Sequence, residues 1–514
     1  MQTKVLTVAL EGQGSHVCSI ECCFARGFSG IQLLGTSSET AKNAKERVAT
    51  ALENSGVKLS NKKIIMNISP NSGSDEQPHF DLPLAVSLAT LHLDKTHELL
   101  HKRPINIIGE LCLDGSIKGV LGIIPILLEV ARSGPCHLVL PRENLKEIEE
   151  IQAIETDLFD QIELFFFDHL QEIILWMRTG EYSAPVTSPL KPTISKRETK
   201  NFADMELSTD LKTIALLATV GRLNVLLTGS PGVGKSMFAE RLPSLLPKLR
   251  AKEHIELLRL YSTQNKSIPE AIFRGHAPFR SPHHSASATA ILGTPKKPGD
   301  LPLAHGGILF LDEIPEFRRD LLESLREPME TGVIKVSRAQ SKTSWAAKAI
   351  LVAASNPCPC GWLGSKKRLC HCPQQAIEKY QRKLSGPLLD RFHIRFRIAD
   401  KKRSKNFLSH LWDESRHHSL AQTAHKAREF SIARNAKYHV TYNSELTGNH
   451  LLEACGLSPE NTELSKLLDR CDSIRQVVKI LQISRTLADI RSEDQVSKTT
   501  LKQAEDYSNS IDRS

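Results

Sequence analysis

The octapeptide Gly229-Ser230-Pro231-Gly232-Val233-Gly234-Lys235-Ser236 constrains this chain more than any other feature. An apolar run, Val225-Leu226-Leu227, leads into it, and a segment of helical character from Ser236 to about Leu242 leads out. The glycines let successive backbone N–H groups turn inward around an anion, and the helix start adds unpaired donors and a favourable dipole. In that setting the Lys235 ammonium reaches the β- and γ-phosphates of a nucleoside triphosphate, and the Ser236 hydroxyl faces a magnesium ion. A glycine-rich turn arising by chance would not bring strand, loop and helix in this order. Such a unit belongs to a parallel sheet covered by helices on both faces.

Downstream, Ile308-Leu309-Phe310-Leu311-Asp312-Glu313 is an apolar strand ending in two carboxylates. Asp312 fits the magnesium side of a nucleotide site, and Glu313 fits the group that activates the attacking water. Two acids can also simply open a helix, where negative charge is favoured; the phosphate loop upstream tips the balance. Ser355-Asn356 follows the next long apolar run, residues 349–354, at the carboxyl edge where ligands of such sheets bind. Asn356 is either a sensor of the γ-phosphate or attacking water, or a turn residue before Pro357. Arg391, in Leu388-Leu389-Asp390-Arg391-Phe392, precedes a further strand. It is either an arginine that reaches a neighbour's nucleotide or a member of a surface ion pair.

The 514 residues allow three or so domains. Residues 1–178 read as an α/β domain: residues 4–10 alternate like a strand, residues 64–68 and 105–108 are short apolar runs, and residues 39–52 have helical spacing. Residues 179–200, with Pro185, Pro189 and Pro192 among Ser, Thr and Lys, read as a linker. Residues 201–400 alternate helices with the strands 224–228, 307–311 and 349–354, and residues 401–514 are helical. The net charge, 67 − 58 = +9, is compatible with a polyanionic partner without demanding one. No apolar run reaches the ~18–20 residues a membrane-spanning helix needs, and no signal peptide is read at the N-terminus. The cytoplasm is therefore the expected compartment. The eleven cysteines are then expected to be reduced thiols. Four of them, Cys358, Cys360, Cys370 and Cys372, fall in two close pairs that suit tetrahedral zinc, with His371 as a spare ligand. The alternative is reduced cysteines in a loop. A zinc held by four thiolates would be structural, with no open position for catalysis.

Several longer stretches resemble the ComM/YifB branch of the Mg-chelatase-like AAA+ ATPases. They are Phe279-Arg280-Ser281-Pro282-His283-His284, residues 303–313, Asn356-Pro357-Cys358-Pro359-Cys360-Gly361, residues 384–391 and Ser484-Arg485-Thr486-Leu487-Ala488-Asp489. The resemblance covers nearly the whole chain. It implies an ATP- and Mg2+-dependent, ring-forming, hexameric ATPase acting on DNA, with Asn356 as sensor 1, Arg391 as the trans-acting arginine finger and Arg475 as sensor 2 from a helical lid. Arg485 competes with Arg475 for the last role. The family also implies an insert, residues 274–294, carrying Arg280, His283 and His284, and a hairpin, residues 332–345, with Lys335, Arg338 and Lys342 near its tip. Such cations bind phosphates without reading sequence, and Phe279 or Trp345 is a candidate for stacking on bases. The His pair could instead cap or hydrogen-bond within a subunit interface.

Residues 80–86 and 109–115 resemble the Lon-type protease fold (ribosomal S5 domain 2-like). Such a domain needs a serine nucleophile and an activating lysine. By this resemblance those places fall on Leu84 and Ile124, so the fold is expected without peptidase activity. The family pattern is broken at residues 35–38, Gly-Thr-Ser-Ser, and by the absence of lysines from residues 71–79. The expectation is a DNA motor driving branch migration during natural transformation, acting on single-stranded or branched DNA. The rival is a chelatase-type chaperone acting on a protein and a tetrapyrrole, and a Lon-like protease is disfavoured.

Overall fold

The computed structural model describes residues 2–11, 14–70, 77–93, 96–98, 102–154, 156–184, 200–264, 268–338, 341–400 and 412–509. Most of the linker read at 179–200 and the start of the segment read as helical from 401 lie outside these. Two sheets organise the chain.

The first has seven strands: β1 (Gln2–Glu11), β2 (Gly14–Ala25), β3 (Gly30–Leu34), β4 (Lys63–Ser69), β5 (Ile105–Ile107), β6 (Cys136–Pro141) and β7 (Ile162–Phe167), in the order β3-β4-β2-β1-β5-β6-β7. β1 pairs antiparallel with β2 and parallel with β5, so the sheet is mixed. The long strand β2 and the strands β6 and β7 were not among those read from sequence. Helix α1 (Ser38–Asn54) is N-capped by the Ser37 hydroxyl, and α2 (Asp81–Leu91) packs against β1 and β2.

The second sheet carries the glycine-rich loop 229–234. Its strands are β8 (Val225–Thr228), β9 (Phe279–Arg280), β10 (Ile308–Leu311), β13 (Ile350–Ser355) and β14 (Ile394–Arg397), in the order β9-β10-β13-β8-β14, every pair parallel. Between β10 and β13 stands an antiparallel hairpin, β11 (Val333–Arg338) and β12 (Ser341–Ala346). Alternation along the strands splits the sheet's two faces. Val225 and Leu227, Ile308 and Phe310, Ile350, Val352 and Ala354 point into one core, while Leu226, Leu309, Leu311, Leu351 and Ala353 point into the other. This is why these runs are continuously apolar: both faces are covered.

The C-terminal helices cover the first face. Ile480 and Leu487 of the helix Ile474–Ile490, with Leu501, join the core of Val225 and Leu227. Among these helices Arg485 and Asp489 are fully buried and ion-paired, and Arg434 shares the same carboxylate. The Arg485 guanidinium also donates to the carbonyls of Ala454, Glu493 and Asp494. Removing one partner of such a buried pair leaves an uncompensated charge, so this cluster fixes how the last helices pack.

The core on the opposite face of the sheet also takes in residues from the first part of the chain. Helix α3 (Ile123–Arg132) lies against the helix Ala251–Ser262, and Ile124 and Leu127 share a core with Leu257, Leu258 and Tyr261. The Gly122 N–H donates to the Ser262 carbonyl at 2.7 Å. Thus Ile124 is a docking residue between the two sheets.

Two expectations need correction here. The segment 274–294 is not wholly an insert: its Phe279 and Arg280 form β9 and pair with Ile308 and Leu309 at the edge of the main sheet. Trp345 is fully buried, with its indole N–H donating to the Thr294 carbonyl at 3.0 Å, so it cannot stack on bases. The hairpin read at 332–345 is present as β11–β12, and among the described residues no helix is long and apolar enough to cross a membrane.

Candidate active site

The loop 229–234 leaves β8 and enters the helix Lys235–Arg241. Gly232 and Gly234 adopt φ of +76° and +96°, in the left-handed region that a side chain would strain. A β-carbon at Gly232 would meet nothing within 4 Å, so the mouth of the loop is open where an anion would enter. The Lys235 ammonium is buried and donates to the Gly229 carbonyl at 2.6 Å, the Ser230 carbonyl at 3.1 Å and the Asn356 Oδ1 at 3.0 Å. Burial among these neutral acceptors lowers its pKa, partly offset by the charges of Asp312 and Glu313. Additional negative charge at the open mouth would suit this cation.

From β10, Asp312 accepts the Ser236 hydroxyl at 2.6 Å. A hydroxyl and a carboxylate oxygen in contact, beside a buried ammonium, form a donor set suited to a hard dication that also ligates phosphate. Glu313 lies next to them in the left-handed region at φ +51°, unusual for a residue with a β-carbon. Such backbone costs of order 1–3 kcal/mol and is typical of sites where a side chain must be aimed. The carboxylate is half exposed, and the His284 Nδ1 approaches it to 3.9 Å. Nothing in the sequence announced that contact. The His283 ring lies against His284, tilted by 35° with ring centroids 4.0 Å apart, and hydrogen-bonds to Ser285.

Four of the residues read from sequence, Lys235, Ser236, Asp312 and Asn356, therefore meet at one place, with Glu313 at its rim. Arg391 and Arg475 do not join them. They line a separate polar cleft, near Asn224 at the amino end of β8. Four strand residues at ~3.3 Å each put this end on the order of 13 Å from the glycine-rich loop. In the cleft both guanidiniums pair with Glu330, Arg391 at 3.2 Å. Arg391 also donates to the carbonyls of Arg326 at 2.9 Å and Pro387 at 2.5 Å. Asn224 donates to the Arg391 carbonyl and accepts from the Leu351 N–H, tying this arginine's backbone to the sheet. Glu330 had no signature in the sequence. The same cleft holds His393, pushed down to about 3 by burial, and Lys479, pushed down to about 8 by burial. Arg485, the competitor for the sensor role, is fully buried among the C-terminal helices.

Of the candidate nucleic-acid contacts, Arg280 is paired with Asp300, whereas Lys335 on β11 is exposed. The side chains of Arg338 and Lys342 lie outside the described residues.

The loop after Asn356 brings Cys358, Cys360, Cys370 and Cys372 together, all four Sγ atoms within 4.8 Å of one another. Three of the separations are 3.4, 3.5 and 3.6 Å. These are far longer than a disulfide, and close to the ~3.8 Å edge of a tetrahedron with Zn–S of about 2.3 Å. His371 is not part of the set.

The chain is similar to known proteins along nearly its whole length. The family described as magnesium chelatase, subunit ChlI, matches residues 201–406; subunit ChlI of Mg-chelatase matches residues 20–144; and the ChlI C-terminal family matches residues 414–508. The chain is 34% identical over 517 residues to the protein YifB of Salmonella typhimurium, covering 99% of this chain and 97% of that one. It is 32% identical to the competence protein ComM of Haemophilus influenzae, over 98% of this chain and 96% of that one. A shorter likeness, 28% identity over 130 residues, covers 24% of this chain and 22% of Lon protease 2 of Bacillus subtilis.

Proposed function

The chain belongs to the ComM/YifB branch of the Mg-chelatase-like AAA+ ATPases, and on that premise we propose that it is an ATP-driven DNA motor, a hexameric ring that promotes branch migration during natural transformation. The observation that carries this reading is the contact of Ser236 with Asp312 beside the buried Lys235. Bound Mg2+–ATP supplies the phosphoanhydride bond and the cation that neutralises its charge. Lys235, now held by the Gly229 and Ser230 carbonyls, would turn to the phosphate oxygens, and Ser236 and Asp312 would hold the metal. Gly229, Ser230, Pro231, Gly232, Val233 and Gly234 shape the cradle. Glu313 takes the proton of the attacking water, and Asn356, already bonded to Lys235, orients that water or senses the γ-phosphate. Arg391, at the far end of the sheet from its own phosphate loop, serves the nucleotide of the adjacent subunit, and Arg475, paired with the same Glu330, is the sensor-2 arginine of the helical lid. Cys358, Cys360, Cys370 and Cys372 hold a structural zinc.

DNA contacts come from the hairpin, where Lys335 is exposed and Arg338 follows three residues later in sequence; His283 and His284 lie near the reacting end. Cationic contacts of this kind release counterions, so binding weakens steeply with salt. ATP turnover is expected to rise several-fold with single-stranded DNA or a synthetic four-way junction at low salt, with junction products visible on a gel. No stimulation and no DNA binding at low salt would defeat the DNA reading. The same preparation should leave a fluorogenic peptide intact, because Leu84 and Ile124 are 3% and 1% exposed and carry no titratable atom; cleavage lost on substituting either would reverse that. The family description keeps a chelatase-type chaperone as the second reading. Such a motor responds to a protein partner and porphyrin, and its turnover is indifferent to DNA.

A further inference from the structure

The thiol-bearing loop does more than follow the sensor residue: it closes around the phosphate loop. Asn356, at its start, accepts from Lys235 at 3.0 Å. Gly361, held at φ +80°, lies so close to Pro231 that a β-carbon there would sit 2.7 Å from the proline ring. Beyond it, Ser365 donates to Asp400, whose same oxygen lies 3.5 Å from the Ser230 Oγ. The Leu363 carbonyl accepts from Arg397 at 2.6 Å, and a β-carbon at Gly364 would meet that guanidinium. Thus the loop touches the phosphate cradle at Pro231 and Lys235, reaches Ser230 only through Asp400, and anchors to the end of β14.

The loop has little of its own to keep this shape. Residues 359–372 form turns without helix or strand, and Lys366, Lys367, Arg368 and Leu369 are exposed. Without a cross-link, the conformational entropy of such a segment would favour loosening. The clustered thiols are the feature that can close it, since metal binding free energy becomes ordering free energy.

We propose that zinc bound by Cys358, Cys360, Cys370 and Cys372 is an integral support of the nucleotide site, fixing Pro231 and Asn356 so that ATP turnover depends on metal occupancy. This rests on the reading of the phosphate loop as an ATP site. The loop then acts as a positioning device: with metal lost, the face that Gly361 presents to Pro231 relaxes and Asn356 no longer holds its place against Lys235. No atom of the metal takes part in the reaction.

The test compares the full-length wild type, Cys370→Ser/Cys372→Ser and Gly361→Ala. Zinc content is measured by elemental analysis, nucleotide affinity with a fluorescent ATP analogue, and kcat and KM by steady-state turnover. The wild type is expected to hold one zinc per chain, and the double serine variant to lose it together with at least tenfold in kcat. Gly361→Ala leaves all four thiols in place, so it should keep zinc yet reproduce the turnover defect. Stripping zinc from the wild type with a strong chelator should give the same defect, restored on adding zinc back. Wild type without zinc, when purified in its presence, overturns the metal site. Zinc lost with kcat unchanged within twofold overturns the coupling. A wild type that holds zinc but neither binds nor hydrolyses ATP overturns the premise and the inference with it, an outcome told apart because metal content and nucleotide binding are read separately.

Discussion

Glu313→Gln is expected to bind ATP as the wild type does and to hydrolyse it about 10²–10⁴-fold more slowly. Glutamine keeps the size and the hydrogen-bonding reach of the side chain but cannot accept a proton from water. The substitution does not touch the metal side, because the Ser236–Asp312 contact is made by other atoms. Nor should it disturb the fold: the Glu313 side chain is half exposed, and surface changes of this kind stay within about 0.5 kcal/mol. Its left-handed backbone is set by the turn after β10, which the substitution leaves in place. The comparison is steady-state turnover beside the affinity for a fluorescent ATP analogue. Turnover within tenfold of the wild type would mean that water activation lies elsewhere.

Arg391→Ala should lower turnover by about 10³-fold or more, the effect expected when a charge-neutralising arginine is removed from phosphoryl transfer. In the single chain this guanidinium is satisfied by Glu330 and the carbonyls of Arg326 and Pro387. It must leave Glu330 to serve a neighbour, and the pull of a triphosphate exceeds that of one half-exposed carboxylate. A mixing experiment separates the trans role from a structural one. Arg391→Ala and Lys235→Ala are each expected to be inactive alone. Mixed, they should recover part of the activity, because some interfaces then combine an intact phosphate loop with an intact arginine. A mixture as inactive as its components would place Arg391 within its own site or its own fold.

The phosphate loop, the paired acids and the continuous apolar strands were legible because each is a local pattern with a local physical cause. A loop of glycines between strand and helix, or a strand covered on both faces, carries its reason within a few residues. What was not legible depends on chain brought from afar. β2 is an alternating strand, but with buried cysteines at positions 18 and 22 in place of β-branched residues, and its pattern is weak. Phe279 and Arg280 are too few to announce a strand; only Ile308 and Leu309 beside them make one. Trp345 looked available for bases because sequence does not show the Thr294 carbonyl that receives its indole. Arg475 and Arg485 lie on one helix and read as equivalents, yet one is half exposed beside Glu330 and the other is fully enclosed with Asp489. The family resemblance supplied roles, but not Glu330 between the two arginines or the Cys loop packed against Pro231.

The central claim is a single magnesium-dependent triphosphate site built from Lys235, Ser236 and Asp312. It is tested most directly by titrating a fluorescent ATP analogue into the hydrolysis-deficient Glu313→Gln protein, with and without Mg2+, beside the same protein carrying Lys235→Ala. Saturable binding that tightens with Mg2+ and disappears with Lys235 is the predicted result. Equal affinity in both proteins, whatever the metal, would contradict it.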